Sequence, residues 1–207
     1  MPKKRKLNTN VNLNTLVSRA AVLGEDQKDD KNDSTVVHFE NILEALLAHI
    51  EELQPDAIVG CMYWFTELRL LQRLAAIQIP VQIIVQKQKI WSRKKSQTNW
   101  IREAYNRLTP LDENVPAVRC LGSCASKTSK TTTSLMHHKF LVFIKAQVPV
   151  AVFTGSFNMS SNASRNLENA LFLRNPHVAR LYWQEWMQLL PFSESLDWKQ
   201  KIVQSTH

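Results

Sequence analysis

From Val37 onward, apolar residues return at steps of three and four. Phe39, Ile42, Leu43, Leu46, Leu47, Ile50 and Leu53 make one stripe of an amphipathic helix, which Pro55 closes. Residues 57–62 are a short apolar run that reads as a strand. Thr66 can cap a second helix carrying Leu70, Leu71, Leu74 and Ile77, stopped by Pro80. The β-branched run 81–85 reads as a strand covered on both faces. Residues 92–108 suit a basic helix, 117–121 another short strand, and 122–134, crowded with Ser, Thr and Lys, a long loop. Two apolar runs, 139–144 and 150–154, separated by a turn around Pro149, predict an antiparallel hairpin. Residues 170–173 form a last strand, and 178–190, with Leu181, Tyr182, Trp186, Leu189 and Leu190, an amphipathic helix. Strands alternating with helices predict a layered α/β domain over 35–207. Residues 1–34 show no sustained apolar period and read as a mobile leader.

The chain has 207 residues, 44% hydrophobic and 21% charged, with only 4 Gly. This composition excludes collagen-like, coiled-coil and wholly disordered chains and is ample for one core. No apolar run approaches the roughly 20 residues needed to cross a bilayer. The basic first residues lack an apolar segment behind them, so neither a membrane span nor a secretory signal is expected and the protein is placed inside the cell. Cys61, Cys120 and Cys124 lack paired CxxC spacing, and His38, His49 and His177 lack ligand spacing, so no metal is expected.

Charge adds a partner. Lys and Arg total 26 against 18 Asp and Glu, a net charge of +8, unevenly spread. Lys3, Lys4, Arg5 and Lys6 resemble a nuclear localisation signal, and equally suit a nucleic-acid-binding arm or an expression tag. The location is therefore cytoplasmic, or nuclear if the host is eukaryotic and this run is native. A second basic stretch, 87–107, includes Arg93, Lys94 and Lys95, with Trp91 and Trp100 on either side. Basic residues interleaved with aromatics suit single-stranded nucleic acid. Arg93, Lys94 and Lys95, with Lys127 and Lys130 of the long loop, are the candidate nucleic-acid contacts.

The chemistry concentrates in His137-x-Lys139, Gly155-Ser156-x-Asn158 and Asn166-x-Glu168-Asn169. A two-residue strand period puts His137 and Lys139 on one face, and Ser156 and Asn158 repeat that spacing after the second strand of the hairpin. Such a cluster suits a phosphodiester. A neutral imidazole can attack phosphorus to give a phosphohistidine, while Lys139, Asn158 and Ser156 can donate to the non-bridging oxygens. Glu168 can accept a ring N–H of the histidine. The leaving oxygen needs a proton from a second histidine, which another protomer can supply. His138 faces the other way and is read as packed behind the site.

These three motifs resemble the phospholipase D superfamily, in particular its single-motif members, the small bacterial endonucleases and mitochondrial cardiolipin hydrolase. Residues 57–66, with Tyr63-Trp64-Phe65-Thr66 after a strand, resemble the first half of that domain. The resemblance implies an α/β/α sandwich with a mixed β-sheet, a homodimer with two motifs face to face, a phosphohistidine intermediate, and no metal or cofactor. It implies His137 as nucleophile or acid, Lys139 and Asn158 as phosphate clamps, and Glu168 as the residue orienting the histidine. Two features depart from the family. The Asp expected five residues after the Lys is Ile144, followed by Lys145, and the spacer from His137 to Gly155 is longer than common. The expected function is a metal-independent phosphodiesterase cleaving DNA or RNA, without stable membrane insertion. The alternatives are a cardiolipin-type phospholipid hydrolase and a nucleic-acid-binding module with impaired catalysis.

Overall fold

A computed structural model describes residues 34–88, 95–122 and 135–196. In chain order the elements are β1 (Ser34–His38), α1 (Ile42–Leu53), β2 (Ala57–Met62), α2 (Leu68–Ile77), β3 (Val81–Gln86), α3 (Lys95–Asn106), β4 (Val118–Leu121), β5 (Lys139–Lys145), β6 (Val148–Gly155), β7 (Ala170–Arg174), α4 (Pro176–Leu189) and β8 (Glu194–Ser195). The 8 strands make one sheet in the order β1-β7-β6-β5-β2-β3-β4-β8. β2, β3 and β4 are parallel neighbours, and every other pairing is antiparallel. The sheet is therefore mixed.

Alternation along the strands splits the core in two. Ile58 and Met62 of β2, Ile83 and Val85 of β3, and Leu141 and Phe143 of β5 pack toward α1, α2 and α3. Val59 and Cys61, Ile84, and Phe140 and Val142 pack toward Ala179, Trp186 and Leu189 of α4. Helices thus cover both faces, which is the expected α/β/α sandwich. The fully buried Phe140, Phe143, Phe153 and Phe172 each contribute roughly 2 kcal/mol of apolar burial, and they sit on the strands that carry the site. α4 starts where Asn175 accepts from the Val178 N–H at 2.8 Å, with Pro176 at the first helical position. Among the described residues no helix is long and apolar enough to cross a membrane.

Three local expectations need correction. The stripe read as helical from Val37 begins only at Ile42. Ser34–His38 is a strand antiparallel to β7, and Asn41 in the left-handed region, φ 50° and ψ 37°, separates it from α1. Phe39 extended the period by coincidence and is exposed. The cap of α2 is Glu67, accepting from the Arg69 N–H at 3.3 Å, and not Thr66. The hairpin turns at Ala146 and Gln147, with φ of 49° and 65°, while Pro149 lies within β6 opposite Ile144. Proline lacks a donor but can still occupy a ladder position beside a turn.

Candidate active site

Residues 135–138 run irregularly into β5, and two hydrogen bonds seat them. The buried Gln86 at the end of β3 accepts from the Met136 N–H at 2.7 Å, and the His138 carbonyl accepts from the Tyr63 N–H at 3.0 Å. His137 consequently projects beside the open end of β2, although it lies two residues before β5 begins. The edge of its ring meets Tyr63, with centroids 4.7 Å apart. Lys139 folds back over it: Nζ lies 3.3 Å from each ring nitrogen and donates to the His137 carbonyl at 3.0 Å. Nζ also sits 5.3 Å from the centroid of the Tyr63 ring, within cation–π range.

Partial burial holds the His137 pKa below the usual imidazole value, and the Lys139 and His138 charges add to that. Neutral imidazole is therefore favoured, the form that has a lone pair to donate. Burial also lowers the Lys139 pKa, against the opposing pull of the Glu168 carboxylate.

The opposite wall follows β6. Gly155 closes that strand where the chain comes so near β7 that a Cβ would lie 2.2 Å from the Asn169 carbonyl oxygen. Only glycine fits. Beyond it, the Ser156 N–H donates to the Asn169 carbonyl at 3.0 Å, and the Ser156 hydroxyl accepts from the Asn169 N–H at 3.0 Å. The single proton of that hydroxyl goes to Glu168 in a short hydrogen bond, and Asn166 Nδ2 donates to the other carboxylate oxygen at 3.5 Å. Ser156 thus holds Glu168 in place. The bonds of Glu168 go to Ser156 and Asn166, and its charge reaches Lys139. The side-chain oxygen of Asn158 is buried with no hydrogen-bond partner among the described residues.

His138 faces the other side of the sheet, as its parity requires. Its Nε2 lies 3.2 Å from the Glu185 carboxylate of α4, off the line of a hydrogen bond, and its ring packs edge-on to Phe140. Buried Cys61 lies on the same side, its thiol pushed well up by burial and by the Glu185 charge. Ile144 is half-buried against the α4 side of the core.

The fold therefore gathers His137, Lys139, Ser156, Asn158 and Glu168 at one end of the sheet. Arg93, Lys94, Lys127 and Lys130, with Trp91, lie outside the described residues. Lys95 opens α3. Sequence reasoning gave no role to Tyr63, Gln86 or Glu185. The available signals were an aromatic residue directly after a strand, a glutamine ending a β-branched strand, and a carboxylate on the apolar side of the last helix. Among the described residues no three His, Cys, Asp or Glu side chains cluster as metal ligands.

The family model for the PLD-like domain of cardiolipin synthase matches residues 46–190, and the chain belongs to this phospholipase D-like family. It is 26% identical over 190 residues to uncharacterized protein L381 of Acanthamoeba polyphaga mimivirus, covering 78% of this chain and 67% of that protein. Among solved structures it resembles NucT from Helicobacter pylori, with a TM-score of 0.60 and 18% identity over 79% of this chain and 99% of that one. It also resembles Nuc from Salmonella typhimurium, a phospholipase D family member, with a TM-score of 0.55 and 19% identity over 79% and 97% of the two chains. These two likenesses establish the shared fold.

Proposed function

We propose that this protein is a metal-independent phosphodiesterase that cleaves DNA or RNA through a phosphohistidine, with residues 35–207 as its catalytic domain and 1–34 as a basic leader. The observation that carries the reading is the convergence of a neutral-favouring His137 with Lys139, Asn158 and Glu168 at one sheet end. His137 attacks phosphorus as the bond to the leaving oxygen breaks. Lys139 and the Asn158 amide stabilise the non-bridging oxygens, the work a cation performs elsewhere. Glu168, braced by Ser156, balances Lys139 and orients the histidine when substrate draws the lysine away.

The departing oxygen takes its proton from the His137 of a second copy. That histidine then removes a proton from the water that hydrolyses the phosphohistidine. Leu167, fully exposed between Asn166 and Glu168, is an apolar side chain that a facing copy would cover, which supports the dimer. The net charge of +8 favours a polyanionic substrate, met inside the cell: in the cytoplasm, or in the nucleus if the host is eukaryotic and the basic run at the start of the chain is native.

The test is incubation of purified protein with single- and double-stranded DNA, RNA and cardiolipin vesicles, each with EDTA present. Cleavage of a nucleic acid in chelator is expected. Hydrolysis of cardiolipin alone would turn the assignment to a phospholipid hydrolase. Tight oligonucleotide binding with no turnover of any substrate would make the protein a binding module.

A further inference from the structure

Beside the His137–Lys139 end of the sheet lies a cleft of about 430 Å³, a size typical of ligand sites. Its walls come from three parts of the chain: Trp64 after β2, Trp100 on α3, and Asn158, Ser160, Asn162 and Asn166 between β6 and β7. The cleft adjoins the residues gathered at that end of the sheet. Asn158, three residues beyond the end of β6, is in its lining, Asn166 touches Glu168, and Trp64 adjoins Tyr63, whose ring lies against His137. Bonds from neighbouring residues brace the walls. Tyr105 of α3 donates its hydroxyl to the Phe65 carbonyl at 2.5 Å, and the Met159 carbonyl accepts from the Thr66 and Glu67 N–H groups at 2.6 and 2.8 Å. A cleft braced in this way is formed before a ligand arrives.

Its lining discriminates among ligands. None of the lining residues carries a charge, so a phosphate or a charged headgroup finds no counter-charge there. An acyl chain would meet amides and hydroxyls over much of the wall, leaving them unpaired on binding. Two indoles together with neutral donors and acceptors match a flat heterocycle that has an apolar face and a hydrogen-bonding edge. Trp100 is 45% exposed, which leaves indole surface for stacking.

Resting on the phosphodiesterase reading of the adjoining site, we propose that this cleft is a nucleobase subsite. It takes one unpaired base beside the scissile phosphate, stacked on indole, with its edge bonded by the neutral amides. The preferred substrate is then a single strand or a loop, since a base within a duplex cannot enter.

The experiment compares binding of labelled decathymidylate with that of a decamer of abasic residues, by fluorescence anisotropy across a salt series. Cleavage of bis(4-nitrophenyl) phosphate, which has no base, is followed separately. The abasic decamer is expected to bind at least about tenfold more weakly, as loss of base stacking implies. The salt slopes should match, because stacking releases no counterions. Trp100→Ala should erase the difference, and Trp100→Phe, which keeps an aromatic face, should retain most of it. Equal affinity of the two decamers for the wild-type protein, or full discrimination by Trp100→Ala, overturns the subsite. Base discrimination without cleavage of any phosphodiester would uphold the subsite and overturn the neighbouring reading, so the two fail separately.

Discussion

At the start of β5, Lys139 and the preceding His137 stand near solvent, and their neighbours Tyr63, Ser156 and Glu168 are tied by side-chain hydrogen bonds or ring contacts. At its end, about 16 Å away at the usual strand rise, Ile144 pairs with Ala57 and Pro149. Its neighbours are held by bonds that each have a backbone group on at least one side. The Asp56 N–H donates to the Ile144 carbonyl at 2.7 Å, the Asp56 carboxylate accepts from the Ala146 N–H at 2.6 Å, and Lys145 donates to the Leu53 carbonyl at 2.6 Å. Two positions of one sequence motif thus occupy opposite ends of a strand and do different work. The missing family aspartate lies beyond reach of any phosphate held by Lys139. Asp56, just before the adjoining strand β2, already supplies a carboxylate to the turn.

The strongest test of this contrast is His137→Ala. Removal of the proposed nucleophile should lower turnover of a short oligonucleotide by at least about a thousandfold, with binding retained in an anisotropy assay. His138→Ala should be much milder in turnover and should show in the melting temperature, because it leaves the Glu185 carboxylate without its partner on the packed face. Near-normal turnover in the first variant with loss in the second would reverse the assignment of the two histidines.

Asn158→Ala, at the same end of the sheet, removes one proposed donor to the phosphoryl oxygens and should lower kcat by about 10²–10³ with EDTA present. An unchanged kcat would take Asn158 out of the clamp.

At the other end, Ile144→Asp restores the residue type expected for the family. It places a carboxylate where half-buried apolar surface packs against the α4 side of the core, so the fold should lose about 1–3 kcal/mol in urea unfolding, while kcat stays within about twofold. A large gain in turnover would show that the two ends communicate.

The smallest effect concerns pH. His137 near the site and His49, stacked on Phe172 with centroids 3.8 Å apart, both have lowered pKa values, chiefly through burial. The unfolded chain therefore binds these protons first, near pH 6.5. Stability is fully present above that value and is lost as pH falls through the lowered folded values. The melting temperature should decline below about pH 6.5, less so in His49→Gln, and the acid limb of turnover should lie below the ordinary histidine range. A pH-independent melting temperature between 5 and 7 would remove both histidines from this account.

Much of the architecture was legible along the chain. Ala57 to Met62 is a continuous apolar run, and Val81 to Val85 is broken only by the buried Gln82, because both faces of those strands are buried, and the period of Leu43, Leu46 and Ile50 reports the one face that α1 buries. Such patterns are local consequences of burial and need no knowledge of partners. The beginning of α1 was misread because Val37 and Phe39 fit a helical period, while pairing with β7, a strand more than a hundred residues later in the chain, made Ser34–His38 extended. The turn was misplaced because Pro149 is a strong local signal, whereas the register between β5 and β6 puts Ala146 and Gln147 at the bend.

The same division holds at the site. Residue type and short spacing along the chain suffice to mark His137, Lys139, Asn158 and Glu168 as candidates for chemistry. Their surroundings come from the packing of distant segments. Tyr63 reaches His137 because β2 and β5 are neighbours, Gln86 seats Met136 across a separation of 50 residues, and Trp64, Trp100 and Asn158 meet in one cleft from three segments. Contacts of that kind depend on strand order and on which face each helix covers, and no local periodicity encodes either.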